Sequence, residues 1–201
     1  MKNDTITLAM TGASGAHYGF RLLECLLKAE KNVHLLISSA AQVVINTETN
    51  HHIGSNPDDV SRYLHDLYQP APSQLTVFGK TQWMAPIASG SNASKAMVVC
   101  PCSSATLSSI ARGSSTDLIE RAADVILKEQ RKLILVTREM PLSVIHLENM
   151  LSLARLGVSI LPASPGFYHK PEKVEDLIDF VVARILDHLS VEHHLVPPWG
   201  T

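Results

Sequence analysis

The segment from Thr5 to Lys28 restricts the possible folds more than any other part of this chain. It reads ITLAM, then TGASGA, then HYGFRLLECLLK. The first run has the apolar residues of a buried strand, and the apolar residues of the last run recur at helical spacing from Phe20 onward. We therefore expect a strand, a turn of small residues and a helix.

The turn between this strand and helix serves either a ligand or only the geometry of the chain. Gly12 and Gly15 allow the backbone to turn sharply and to approach a ligand, and Ser14 can cap the helix. The unpaired N–H groups and the dipole at the start of the helix favour an anion such as phosphate. The sequence matches neither GxGxxG nor GxxxxGK(S/T), which disfavours an ordinary dinucleotide site and an ATPase P-loop.

Strands and helices alternate along the rest of the chain. Further strands are predicted at 33–37, 75–78, 97–100, 133–137 and 158–161, and helices at about 40–49, 117–131, 142–156 and 172–189. A short helix is predicted at 57–67, inside a polar excursion that spans 50–74. Apolar residues surround much of the helix at 142–156, so we expect it to be covered on two sides. The alternation predicts a single α/β domain, residues 1–201, with an open, mostly parallel sheet and helices on both faces.

Small and polar residues follow the predicted strands directly. They are Gly12 to Ser14, Ser38, Pro101 to Ser104, Arg138 with Glu139, and the segment 162–168. Ligands of open α/β sheets bind beyond the carboxyl ends of the strands, so these residues should converge there. Their hydroxyl and N–H groups suit a phosphorylated, heteroaromatic cofactor better than a metal.

Composition excludes several classes of function. The formal net charge is −2, which gives no broad basic field for nucleic acid. No apolar run approaches the length of a membrane span, and the start MKND lacks a secretory signal, so we expect a soluble, cytoplasmic protein. The three cysteines and the pairs His51–His52 and His193–His194 lack the spacing of a metal site.

Charged residues of the second half support two interpretations. Arg121 and Lys128 lie two helical turns apart and share a face, so with Arg138 they could surround a second anion. Alternatively this is a solvated face on which Asp124 bridges both cations. Glu139 is either the ion-pair partner of Arg138 or, partly desolvated at a strand end, a carboxylate tuned toward neutrality that handles a proton.

Other notable positions have ordinary alternatives. Tyr168 is a packed turn aromatic or a site residue, and Arg184 is by default a surface cation. Trp83 has a core or interface role by default. The tail at about 190–201 has no helical or strand period but carries Trp199, so we expect it to pack on a neighbouring subunit of a homo-oligomer.

Five motifs together resemble the UbiX/Pad1 flavin prenyltransferases. They are TGASGAHYGFRLLE, VVCPCSSATLSSIARG, the run from Asp117 to Gly157, LPASPGFYHKP and the closing WGT. The resemblance leaves mainly residues 50–74 outside it. It implies Rossmann-like or flavodoxin-like subunits in dodecamers, which join the dimethylallyl group of dimethylallyl monophosphate to N5 and C6 of reduced FMN without a metal. The implied recipient of prenylated FMN is a UbiD-type decarboxylase, in many bacteria in ubiquinone biosynthesis.

The resemblance also assigns roles to residues of this chain. The implied FMN ligands are Gly12, Ala13, Ser14, Ser38, Ser103, Ser104, Ala105, Thr106 and Arg138. The implied ligands of dimethylallyl phosphate, some from adjacent subunits, are Ser89, Gly90, Arg121, Lys128, Glu139, Tyr168 and Arg184. Trp83 and Glu48 match positions near the flavin and the migrating group. A lysine that relatives often carry after Pro-Cys-Ser is replaced here by the segment Ser104-Ala105-Thr106.

The residue types suit this chemistry. The cations and the Tyr168 hydroxyl can stabilise the departing phosphate, and the face of Trp83 can stabilise the allylic cation. Glu139, aided by Ser14, or the released phosphate is the candidate base. Two alternatives stay open: a related cysteine decarboxylase, whose PASANT and PxMNxxMW signatures are missing here, and a flavin carrier, which would not need the cationic set.

Overall fold

The computed structural model of the chain describes residues 4–198 and 200 and contains a six-stranded sheet. The strands are β1 (Thr5–Met10), β2 (Asn32–Ile37), β3 (Leu75–Phe78), β4 (Ala96–Cys102), β5 (Lys132–Thr137) and β6 (Ser159–Ile160). Every pairing is parallel, in the order β3-β2-β1-β4-β5-β6. This is the Rossmann strand order. The chain adds strands toward one side of the sheet from β1 to β3 and toward the other side from β4 to β6, so the switch point lies between β1 and β4. All six predicted strands and the parallel sheet are confirmed.

Seven α-helices join or follow these strands within the described residues. They are α1 (Ala16–Lys28), α2 (Ser39–Glu48), α3 (Pro57–Tyr68), α4 (Ser104–Ala111), α5 (Leu118–Lys128), α6 (Val144–Arg155) and α7 (Val174–Leu189). Two short 3-10 turns, Pro86–Ala88 and Gly90–Asn92, lie between β3 and β4, where the sequence predicted a loop. Most helix ends fall within three residues of the prediction, and the remaining differences are of the size expected where helix ends fray.

Alternate residues of the strands face two separate hydrophobic layers. Leu8 and Leu35 point to the layer built with α1, α2, α3 and α7, and α7 packs directly on α1. Ala9 and Leu36 point to the opposite layer, built with α4, α5 and α6. A polar side chain on α5 and one on α7 therefore lie on opposite sides of the sheet.

Helix α6 is covered on one side in this chain, so the prediction of two covered sides is wrong for a single subunit. Leu153 is fully buried, whereas Val144, Ile145, Leu147 and Leu151 each have half or more of their surface exposed. Contiguous apolar surface of this kind marks an interaction site in soluble proteins.

Candidate functional site

Hydrogen bonds between loops hold the carboxyl ends of β1, β2 and β4 together. The Thr11 hydroxyl donates to the Pro101 carbonyl oxygen at 2.9 Å and accepts from the Ser103 N–H at 2.8 Å. The Ser38 N–H donates to the Met10 carbonyl oxygen at 3.0 Å. The predicted convergence of the first three of these loops is therefore present within one chain.

The start of α1 is occupied by a side chain of the protein rather than left open. Gly15 is the N-cap residue with φ of 111°, so the predicted sharp turn is confirmed. Oε2 of Glu48 accepts from the N–H groups of Gly15 at 2.8 Å and Ala16 at 3.1 Å. The prediction that Ser14 caps the helix is wrong, because its exposed side chain hydrogen-bonds Glu48 instead. A phosphate at this helix end would meet a carboxylate.

Glu48 is held in its ionised form. Partial desolvation raises its pKa, but hydrogen bonds from Ser14, Gly15 and Ala16 outweigh that effect and leave the pKa below its usual value. The ring of His17, whose Nε2 lies 3.1 Å from the Glu48 backbone carbonyl oxygen, adds to the lowering. Glu48 thus acts as a fixed negative charge beside the β1–α1 turn.

Gly12 is needed for packing inside the protein. A Cβ atom built on it would lie 2.4 Å from the Cβ of Ala40, in the first turn of α2. The predicted close approach at Gly12 is therefore made to helix α2.

Two further helices begin at the same edge of the sheet with serine caps. The Ser38 hydroxyl accepts from the Ala41 N–H at 3.0 Å at the start of α2. The Ser103 hydroxyl accepts from the Thr106 N–H at 3.2 Å at the start of α4. First-turn N–H groups have no intrahelical partner, so the amides of Ser104 and Ala105 are donors for a ligand.

Arg138 and Glu139 follow β5 but do not pair with each other. Nε of Arg138 is buried and has no hydrogen-bond partner among the described residues. The Glu139 carboxylate instead accepts from the Ser104 hydroxyl at 2.8 Å and the Met140 N–H at 3.2 Å. These two hydrogen bonds lower the pKa of Glu139, so the prediction of a desolvated carboxyl tuned toward neutrality is wrong for the single chain, in which the group is exposed.

The first cationic surface, formed by Ser89, Gly90, Arg121 and Lys128, lies on the outside of α5. The Arg121 guanidinium donates to the Ala88 carbonyl oxygen at 3.1 Å and to Asp124 at 2.8 Å. Lys128 donates to Glu129 at 2.6 Å, so the predicted bridge through Asp124 reaches Arg121 alone. A Cβ atom on Gly90 would lie 2.9 Å from Nζ of Lys128, which brings the two predicted residues together.

The second cationic surface contains Tyr168 and Arg184 and lies on the opposite side of the sheet, beside α7. Both residues line a cavity of about 830 Å³ between α7, the loop after β6 and the tail. Tyr168 is 70% exposed, so the interpretation of Tyr168 as a packed turn aromatic is wrong for this chain. Val191 of the tail is buried in the chain's own core, while Trp199 lies outside the described residues, and packing of the tail on a neighbour stays a prediction.

Trp83 lies in the loop after β3 and is 46% exposed, so a core role is wrong for it in this chain. Nearby Lys80 donates to the Ser39 hydroxyl at 2.9 Å, and its carbonyl oxygen accepts from the Leu118 N–H at 2.8 Å. The Trp83 loop therefore lies beside the starts of α2 and α5, at the carboxyl edge.

Comparison with known proteins identifies the family of this chain. A model of the Flavoprotein family matches residues 1–186. The flavin prenyltransferase UbiX of Pseudomonas aeruginosa is 58% identical over 98% of this chain and 94% of its own length. The chain belongs to the UbiX flavin prenyltransferase family.

Solved UbiX structures extend the match to the whole fold. AnUbiX (PadA1), solved in complex with FMN and dimethylallyl pyrophosphate, is 40% identical, with a TM-score of 0.88 over 100% of this chain and 99% of its own. A dodecameric FMN-dependent UbiX-like decarboxylase from Escherichia coli O157:H7 is 41% identical, with a TM-score of 0.86 over 98% of this chain and 100% of its own.

Sequence reasoning missed Thr11, which joins two loops of this UbiX-type edge. Its side chain is 1% exposed, and its position between an apolar strand and a glycine turn is the signal that could have identified it.

Within residues 4–198, no group of three or more His, Cys, Asp or Glu side chains is placed to hold a metal. The helices in that range are too short or too polar to cross a membrane.

Proposed function

We propose that this protein transfers the dimethylallyl group of dimethylallyl monophosphate to N5 and C6 of reduced FMN. The observation that carries the proposal is the 58% identity to a flavin prenyltransferase along nearly the whole chain. The FMN and dimethylallyl pyrophosphate bound to AnUbiX (PadA1) support FMN and a dimethylallyl phosphate ester as the substrates here. Its product would serve a decarboxylase of the UbiD type.

The carboxyl edge of the sheet fits FMN. The unpartnered Nε of Arg138 is a buried cationic donor that a flavin carbonyl or phosphate oxygen could satisfy. The serine caps at Ser38 and Ser103 and the first-turn amides of α4 add neutral donors for a phosphate. Since Glu48 blocks the start of α1, the phosphate belongs at α2 or α4 rather than at the turn that first suggested it.

The bound flavin would supply an electron-rich ring that accepts the five-carbon fragment. The residues proposed to hold it are those carried over by motif: Gly12, Ala13, Ser14, Ser38, Ser103, Ser104, Ala105, Thr106 and Arg138. This chain has no lysine between Ser103 and Leu107, so binding there would rely on hydroxyl and amide donors. A neutral donor set makes binding less sensitive to salt than a lysine would.

The dimethylallyl phosphate site is proposed to form between subunits. Arg121 and Lys128 lie on α5 and Arg184 on α7, in opposite helical layers, so one phosphate cannot reach both surfaces of the same chain. A second copy that brings its Arg184 and Tyr168 to Lys128 would complete the site. The exposed apolar side of α6 and the dodecameric UbiX-like relative support a homo-oligomer, which we propose is also a dodecamer.

The residues around the reacting bond have complementary roles. Cleavage of the allylic carbon–oxygen bond leaves negative charge on the phosphate, which Arg121, Lys128 and Arg184 with the Tyr168 hydroxyl stabilise electrostatically. The exposed face of Trp83 stabilises the positive five-carbon fragment by an interaction of about 0.5–2 kcal/mol. Ser89 and Gly90 line the phosphate side of the site, beside Lys128.

Glu139 is proposed to take the proton released when the new ring closes. Its carboxylate is ionised at neutral pH, as an exposed glutamate ordinarily is, and hydrogen bonds from Ser104 and the Met140 amide lower its pKa further. It is therefore ready to accept a proton, though weakly basic until substrate or a neighbouring subunit desolvates it. Glu48, held by Ser14, supplies a second fixed carboxylate beside the turn.

The proposed function is tested by anaerobic incubation of the protein with reduced FMN and dimethylallyl monophosphate, followed by mass analysis of the extracted flavin. A gain of one five-carbon unit that is absent without protein and forms far more slowly with the Lys128→Ala variant supports the transferase. Unmodified FMN from a folded, flavin-loaded protein would favour a carrier. Release of carbon dioxide from a cysteine-ending peptide would favour a decarboxylase.

A further inference from the structure

The cavity beside α7 contains a hydrogen-bonded chain that ends on Arg184. Arg184 is one of the cations proposed above for the substrate phosphate, so the inference below rests on the proposed function. An arginine on an exposed helix surface samples many rotamers. Binding a phosphate in one geometry restricts the side chain to one of them, which costs conformational entropy. The contacts of Arg184 therefore bear on how well it binds.

Asp187 lies one helical turn after Arg184 and contacts two groups at once. Its Oδ2 accepts a hydrogen bond from NH1 of Arg184. Its Oδ1 lies 3.0 Å from Nε2 of His193, in the tail that follows α7. The carboxylate is thus fixed from the side of the tail while it holds one nitrogen of the guanidinium.

His193 is the fixed end of this chain of contacts. Its side chain is 13% exposed, against 44% for Asp187 and 55% for Arg184. The Leu195 N–H donates to its Nδ1 at 3.4 Å, which places the proton of a neutral imidazole on Nε2, facing Asp187. Val191, 6% exposed, anchors the start of the tail in the core. The tail's own contacts therefore position His193 within a single chain.

We propose that Asp187 and His193 are positioning residues for the dimethylallyl phosphate site. His193 fixes Asp187, and Asp187 fixes Arg184, with the guanidinium nitrogens other than NH1 left to bind phosphate. The C-terminal tail thereby contributes to the substrate site through its effect on Arg184. Sequence reasoning considered His193 only as half of an unlikely metal pair.

The two effects of Asp187 on an anion oppose each other. Its negative charge repels phosphate, but that charge is shared between a guanidinium and an imidazole N–H, and an exposed pair of this kind is strongly screened. Ordering of a long side chain changes binding by about three- to tenfold. Ordering is therefore the larger effect, and loss of Asp187 weakens substrate binding.

The test compares Asp187→Asn, His193→Leu and His193→Gln with the natural protein. The measurements are the KM and kcat for dimethylallyl monophosphate at saturating reduced FMN, and its calorimetric Kd with FMN-loaded protein. We expect KM and Kd to rise roughly three- to tenfold in Asp187→Asn and His193→Leu, with kcat and the Kd for FMN nearly unchanged. Glutamine at 193 retains a donor near the position of Nε2 and should restore most of the affinity.

The matched control is His188→Leu, the histidine next to Asp187, whose backbone carbonyl accepts from Lys132 and whose side chain takes no part in the proposed chain of contacts. It should leave KM unchanged. A double variant Asp187→Asn, His193→Leu should be no weaker than either single variant, because both break the same chain.

Several results would overturn the inference: a lower KM in Asp187→Asn, equal loss in His193→Gln and His193→Leu, or a fall in kcat and FMN binding alongside KM. Failure of the proposed function is recognised separately. If the natural protein forms no prenylated flavin, the calorimetric Kd values of the same variants still decide whether His193 and Asp187 position Arg184 for the phosphate ester.

Discussion

The carboxyl edge of the sheet and the two cationic surfaces differ in how they are completed. At the edge, short hydrogen bonds between Thr11, Pro101 and Ser103 already connect the loops within one chain. The cationic residues on α5 and α7 lie in opposite helical layers, with the sheet between them. We therefore expect the flavin site to form largely within one subunit and the site of the second substrate to need a second copy.

The physical reason for the difference is topology. Parallel strands bring their ends to one edge, so residues directly after strands meet without further packing. Residues on helix surfaces meet only when another surface covers them. The comparison predicts that changes on α5 spare FMN binding, whereas changes at the edge disturb it.

The largest expected effect is that of Lys128→Ala. Removal of one fixed charge that stabilises a departing phosphate should lower kcat/KM by about 10²–10³ and leave the Kd for FMN unchanged. Lys28→Ala is the matched control, because Lys28 also ends its helix and also pairs with a glutamate. Weaker FMN binding in Lys128→Ala would contradict the view that the carboxyl edge and the cationic surface on α5 bind different ligands.

Gly12→Ala tests the packing of the edge. The added methyl would lie 2.4 Å from Cβ of Ala40, so α2 must shift. We expect a loss of about 1–3 kcal/mol in the free energy of unfolding together with weaker FMN binding. Denaturant unfolding and flavin fluorescence titration measure both. Gly54→Ala, which has no atom within 4 Å of its added Cβ, should change neither.

Glu48→Gln tests the carboxylate that occupies the start of α1. Loss of a charged acceptor for two N–H groups should cost about 1 kcal/mol of stability at neutral pH. Because folding lowers the pKa of Glu48 below its usual 4.5, its contribution is present above that pH and is lost as pH falls. The stability difference between the two proteins should therefore shrink in acid, and a constant difference would argue for packing alone.

The smallest expected effect is that of Ser104→Ala on the pH profile. The Ser104 hydroxyl is the largest cause of the lowered pKa of Glu139, so its removal should raise that pKa. If Glu139 is the base, the acid limb of kcat, measured at saturating FMN, moves to higher pH. An acid limb that does not move would favour the released phosphate as the base.

Much of the fold could be predicted from the sequence, because strand and helix periods and small-residue turns are local signals. The convergence of residues after β1, β2 and β4 followed from a general rule of parallel sheets. The Glu48 contact could not be predicted, because it joins the end of α2 to the start of α1, a pairing set by tertiary packing alone. For the same reason Ser14 was expected as a cap, and the start of α1 as a phosphate site.

The cationic set shows a second limit of sequence reasoning. The shared face of Arg121 and Lys128 was visible in their spacing, but their neighbours were not: Lys128 pairs with Glu129, and Arg121 with Asp124. The separation of Arg184 from both by the sheet is a property of topology. Motif resemblance implied that some of these residues come from adjacent subunits, and the opposite layers of α5 and α7 support that prediction.

Subunit complementation tests whether each substrate site is shared between two subunits. Lys128→Ala and Arg184→Ala chains with different tags are co-expressed, and assemblies that contain both are purified and assayed for prenylated FMN. If each site takes Lys128 from one subunit and Arg184 from another, random mixing in a symmetric assembly leaves about a quarter of the sites intact, and a comparable share of natural activity returns. Mixed assemblies no more active than either parent would contradict a site shared between subunits.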